Sequence, residues 1–94
     1  MDRFEVGMLA KALAGHDFGK IYVIIGVDED YVYLADGKIR TMEKPKKKRK
    51  KHVQLIKKTQ QVVVDKIRNN EKIQNEEIKR IIKLKLSQGG NADV

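Results

Sequence analysis

Two short apolar runs dominate the first half of the chain. They are Ile21-Tyr22-Val23-Ile24-Ile25-Gly26-Val27 and Tyr31-Val32-Tyr33-Leu34-Ala35, parted by Asp28-Glu29-Asp30. Both are rich in β-branched and aromatic residues, which suit a pleated, buried surface. The acidic triplet reads as a polar turn. The stretch therefore predicts a strand, a turn and a second strand. Asp36-Gly37 follows as a hairpin signal, because a type I′ turn needs positive φ at both central positions. Residues 38–42 then read as a third strand. Pro45 has no N–H to give to a ladder, so the sheet is expected to break there.

The segment before these strands supports two readings. Residues 6–14 are mostly good helix formers, and Val6, Leu9, Ala10, Leu13 and Ala14 fall at helical spacing. Local propensity favours a helix, with Gly7 weakly against it. Further on, residues 52–56 alternate and read as a last strand. Thr59 is placed to cap a short helix reaching Arg68, although Val62-Val63-Val64 weakens it. Asn69-Asn70 is a plausible stop. Asn75, followed by Glu76-Glu77, is a helix start, since a capping side chain and early acidic residues complement the dipole. Ile78, Ile81, Ile82 and Lys85 trace one face, and Glu76 and Arg80 form an i,i+4 pair. Residues 88–94, from Gln88 through Gly89-Gly90 to Val94, read as a disordered tail.

With 94 residues and no cysteine, the chain suits one small domain without disulfides or Cys-bound metal. No apolar stretch approaches the roughly 20 residues needed to span a bilayer. The first residues lack the pattern of a signal peptide. A cytoplasmic protein with no membrane association is the expectation.

The net charge of +8 is concentrated. Residues 1–43 carry a net −3 and residues 59–94 a net +2, whereas residues 58 and below to 44 hold nine basic and no acidic side chains. The densest part is Lys44-Pro45-Lys46-Lys47-Lys48-Arg49-Lys50-Lys51. Mutual repulsion should keep such a segment extended, and a polyanion would relieve it while releasing counterions. Lysines give point-charge contacts; Arg49 can also fork to a phosphate or stack on a base. Such contacts position a ligand without reading its sequence. The competing interpretations are a solvated surface run and a nuclear import signal over residues 45–51.

A second element is Gly15-His16-Asp17-Phe18-Gly19-Lys20. Its glycines permit a sharp turn and close backbone approach, and N–H groups with a lysine can cradle a phosphate. Ile21 follows Lys20, so this is not a Gly-x-x-x-x-Gly-Lys-Ser/Thr nucleotide loop. A plain hairpin loop is the simpler alternative. His16 and His52, the two histidines, have no carboxylate or cysteine at convincing ligand spacing, and no metal site or cofactor is expected. Tyr22, Tyr31 and Tyr33 could stack on unpaired bases, but the aromatic share of 5% is too low for a broad platform.

The order Val-Gly-Met-Leu-Ala-Lys-Ala-Leu-Ala-Gly-His-Asp-Phe-Gly-Lys, then Ile-Tyr-Val-Ile-Ile-Gly-Val, resembles a KOW motif. With Asp36-Gly37-Lys38-Ile39-Arg40, the basic stretch and Lys51-His52-Val53, residues 5–56 are similar to the KOW-type large-subunit ribosomal proteins of archaea and eukaryotes. They are closer still to the short bacterial KOW-domain RNA-binding proteins. The resemblance implies a mainly β fold: a small SH3-like β-barrel over residues 1–57, with the basic residues 44–51 as a loop. Two short α-helices over residues 58–87 would form a C-terminal extension. It makes residues 6–14 the first strand, against local propensity. It also implies RNA contacts from Lys11, Gly15, His16, Lys20, Arg40, Lys44, Lys46, Lys47, Lys48, Arg49, Lys50, Lys51 and His52. The ribosomal relatives often carry Arg where this chain has His16, a departure that sets one implied phosphate contact apart from theirs.

The functional expectation is a non-catalytic module that binds structured RNA, most plausibly ribosomal RNA, in translation or ribosome assembly. Contact with about five phosphates would give a slope of log K against log salt of about −3.5 to −4.5. The alternative is an adaptor that engages an acidic protein through the barrel and the C-terminal helices. No catalytic arrangement is recognisable.

Overall fold

A computed structural model describes residues 3–92, without the side chains of residues 57–59 and 88–92. The strands are β1 (Met8–Ala12), β2 (Ile21–Val27), β3 (Tyr31–Ala35), β4 (Lys46–Arg49) and β5 (Val53–Thr59). Two helices follow, α1 (Gln61–Arg68) and α2 (Asn75–Ala92), and a 3₁₀ turn, Lys50–His52, joins β4 to β5. All strand pairs are antiparallel, in the order β4-β3-β2-β1-β5, and the sheet curls into a half-barrel.

The two apolar runs form β2 and β3 as their composition requires. β1 shows what overrides its helical propensity. It lies between β2 and β5, so Leu9 pairs with Val23 on one side and Ile56 on the other, and Ala10 with Tyr22 and Leu55. A helix here would leave two neighbouring strands without ladder partners. Pairing on both edges outweighs the few tenths of a kcal/mol per residue that separate helix propensities.

Alternation along the strands divides the core. The inner face gathers Ala10, Ala12, Tyr22, Ile24, Val32, Leu34 and Val53. The outer face carries Leu9, Val23 and Ala35, and against these pack Val63 of α1, Ile73 of the connection, and Ile78 and Ile81 of α2. Val63 and Ile78 are fully buried; each such side chain contributes roughly 1.5–3 kcal/mol. The apolar face read on the second helix thus docks on the sheet. Among the described residues, no helix is long and apolar enough to cross a membrane.

Several sequence expectations need correction. Asp36-Gly37 does not lead into a strand over residues 38–42. The Asp36 carboxylate accepts from the N–H groups of Lys38 and Arg40, both at 2.9 Å, and the Arg40 carbonyl accepts from the N–H groups of Asp36 and Gly37. Those N–H groups are then lost to any ladder. The basic run is not a loop: the sheet resumes directly after Pro45, a position that tolerates proline because it only precedes the first ladder residue. Thr59 ends β5, and Gln60 takes the N-cap position of α1 without a side-chain bond. Asn75 is the first residue of α2, and its carboxamide is engaged elsewhere, accepting from Met42 N–H at 2.8 Å and donating to Glu43. Glu76 meets Lys79 at 2.9 Å and not Arg80. The backbone of α2 continues to Ala92, through the stretch expected to be tail; Asp93 and Val94 lie outside the described residues.

Gly37 fixes how α2 meets the sheet. Its φ is 81°, and a Cβ there would run into the Asn75 carbonyl oxygen and come within 2.8 Å of Lys79 Cγ. Only glycine allows both the left-handed backbone and this approach.

Candidate nucleic-acid interface

Four consecutive basic residues form a strand because alternation separates them. In β4, Lys46 and Lys48 stand opposite Leu34 and Val32, and Lys47 and Arg49 opposite Tyr33 and Tyr31. The first pair turns to the inner face and the second to the outer face. β4 is also an edge strand. A lysine-rich edge resists pairing with other chains, so the run has a structural role besides any binding role.

On the inner face two ammonium groups share one carboxylate. Asp17, 7% exposed, receives Lys48 Nζ at 3.0 Å on Oδ1 and Lys46 Nζ at 3.3 Å on Oδ2. Lys48 Nζ also donates to the Ala14 carbonyl at 2.8 Å, and the Tyr22 hydroxyl donates to Asp17 Oδ2 at 3.1 Å. Burial alone would raise the Asp17 carboxyl. The hydrogen bonds from Lys48, a backbone amide, Tyr22 and Lys46 outweigh it and hold the pKa at about 2. Tyr22, desolvated and facing that carboxylate, is pushed up to about 12.

This cluster locks the glycine loop to β4. Gly15 and Gly19 take φ of 84° and 88°, and the Phe18 N–H and Gly19 N–H donate to the carbonyls of Gly15 and Ala12. His16, Phe18, Gly19 and Lys20 remain exposed at the tip. The two elements singled out in the sequence are therefore brought together, but by the lysines that bridge them. Lys48 is buried and Lys46 half-buried, so the expectation that both face a phosphate is corrected: their ammonium groups are held by Asp17.

Sequence reasoning did not single out Asp17. The usable signal was its isolation as the one acidic residue between Glu5 and Asp28, in a loop beside a basic run.

The outer face carries the available charge. Lys47 Nζ lies 4.3 Å and Arg49 Cζ 5.4 Å from the Tyr31 ring centroid, each within cation–π range. Arg49, Lys50 and Lys51 line a shallow depression with Asp30. Lys50 is partly committed, its Nζ donating to the Glu29 carbonyl at 2.8 Å. Lys44 and Lys51 are exposed, as is Lys11 on β1. Arg40 is half-buried, and its backbone closes the 36–40 loop. His52 ends the 3₁₀ turn, where its carbonyl accepts from Leu13 N–H. Lys57 and Lys58 also belong to the basic segment, but their side chains lie outside those described.

No protein-family model matches the chain, and no curated protein matches it.

Proposed function

We propose that the protein is a non-catalytic RNA-binding module of the KOW type, built on an SH3-like barrel, and that it contacts structured RNA, with ribosomal RNA as its target. The observation that carries this reading is the outward half of the basic segment. Lys47, Arg49 and Lys51 are exposed on a strand and turn, and among the described residues no carboxylate lies within ion-pair distance of them. A cationic band whose backbone is fixed by a sheet is partly pre-organised for phosphates, because little backbone ordering remains to oppose binding. Two features support the barrel assignment: a curled five-stranded antiparallel sheet with β1 between β2 and β5, and a short 3₁₀ link from β4 to β5. The glycine loop, anchored through Asp17, adds Lys20 and His16 as secondary contacts.

A second reading keeps one observation in its favour. Leu84 and Leu86 of α2 are 56% and 63% exposed, which would suit an adaptor docking a protein partner. Affinity capture from cell extract with and without nuclease separates the two. The RNA reading expects ribosomal RNA in the untreated sample and loss of associated proteins after nuclease. Partners that persist at full yield without RNA would favour the adaptor.

A further inference from the structure

The helices cover only part of the outer sheet face. The covered part includes Leu9, Val23 and Ala35. On the other part, Tyr31 and Tyr33 of β3 stand beside Arg49 and Lys47 of β4. The two tyrosines differ in what lies over them. Tyr31 already has Lys47 and Arg49 near its ring. Among the described residues no cation lies over Tyr33.

Tyr33 is placed by Gly26. The strand register sets Gly26 directly opposite Tyr33, just past a bulge in β2. A Cβ on Gly26 would come within 3.2 Å of Tyr33 Cδ2, 3.4 Å of Cβ and 3.6 Å of Cγ. The ring therefore rests over the space that any other residue would fill. Its hydroxyl reaches Asp28 Oδ2 only at 3.4 Å, a long contact that leaves the phenol weakly held. The result is a half-buried aromatic ring on a rigid sheet, with a cationic side chain as its cross-strand partner.

We propose that Tyr33 is a stacking site for one unpaired nucleobase, with Lys47 and Arg49 holding the phosphates on either side of it. The inference rests on the RNA-binding reading and deepens it. A base offers a π-face to the ring whatever its identity, and the flanking cations satisfy the backbone. Tyr31 acts as a positioning residue, since its ring gathers the two cations beside the platform. A paired base inside a helix has no free face to offer. The site thus selects single-stranded or bulged segments over perfect duplex, a preference that lysines alone cannot supply.

The experiment compares a short oligouridine single strand with a perfect RNA duplex of similar length, by fluorescence anisotropy at fixed salt. Tyr33→Leu should weaken the single strand by roughly 5- to 150-fold and leave the duplex unchanged. Tyr33→Phe, which keeps the ring, should bind as wild type. Tyr33 ring-proton resonances of the wild-type protein supply a readout that no variant's folding can confuse. They should move upfield with oligouridine and stay in place with inorganic polyphosphate. Unmoved Tyr33 resonances while Lys47 and Arg49 amides shift would overturn the stacking site and leave phosphate binding intact. Absence of binding to oligouridine, to duplex and to ribosomal RNA alike would overturn both readings.

Discussion

Replacing Asp17 with Asn removes one negative charge from a point where two lysines and a tyrosine converge. The fold lowers the Asp17 pKa from 3.8 to about 2. At about 1.4 kcal/mol per unit, the charged carboxylate contributes about 2 kcal/mol over its protonated form. The variant also leaves Lys48 buried beside a neutral amide. Breaking a buried ion pair from one side costs about 3–5 kcal/mol, but Lys48 keeps the Ala14 carbonyl as a partner. The expected loss is therefore about 2–4 kcal/mol, against a total of about 5–15 kcal/mol for a domain of ordinary stability. Urea unfolding followed by circular dichroism measures it. Because the folded pKa is depressed, the carboxylate's stabilisation is present above about pH 4 and fades as pH falls toward 2. Wild type and variant should converge over that window. Asp17→Asn paired with Lys48→Met should recover part of the loss, since it removes the buried ammonium and leaves only the half-buried Lys46 without its carboxylate. A gap below about 0.5 kcal/mol near neutral pH, or one that stays constant down to acid pH, would refute the reasoning.

Gly37→Ala should destabilise by about 2 kcal/mol or more, through positive φ and displacement of the α2 start, and should lower the thermal midpoint. The raised Tyr22 pKa of about 12 predicts stability held below about pH 10 and lost as pH rises toward 12. Tyr22→Phe should flatten that alkaline limb in unfolding titrations. Asp30→Asn, beside Arg49, Lys50 and Lys51, should strengthen RNA binding about twofold at low salt by removing a like charge to phosphate, as read by filter binding.

Legibility in the sequence followed how locally each element is determined. β2 and β3 carry their own signal, because Ile21–Val27 and Tyr31–Ala35 are apolar throughout and bury or half-bury every side chain but Val27. β1 does not, since Met8–Ala12 is strand only by virtue of neighbours remote in sequence; the KOW resemblance placed it, and propensity alone would have made it helix. β4 was illegible for a different reason. Lys46–Arg49 has no apolar residue, so period-two burial gives way to period-two pairing, Lys46 and Lys48 on Asp17 and Lys47 and Arg49 over the Tyr31 ring. The Asp36-Gly37 signal misled because an aspartate can close a loop with its own carboxylate as readily as it can start a hairpin. The candidate site was found in outline, but how its charges divide between the two faces required the register with β3.

That division sets the most direct test of the central claim. Four residues of the run, Lys44, Lys47, Arg49 and Lys51, are exposed, and they contribute about −2.8 to −3.6 to the slope of log K against log salt for ribosomal RNA. Lys47→Gln and Arg49→Gln should each make the slope shallower by about 0.7 to 0.9, whereas Lys46→Gln, whose ammonium sits on Asp17, should leave it unchanged. A flat salt response in the wild type, or equal effects from Lys46 and Lys47, would contradict an RNA-binding face on the outer side of β4.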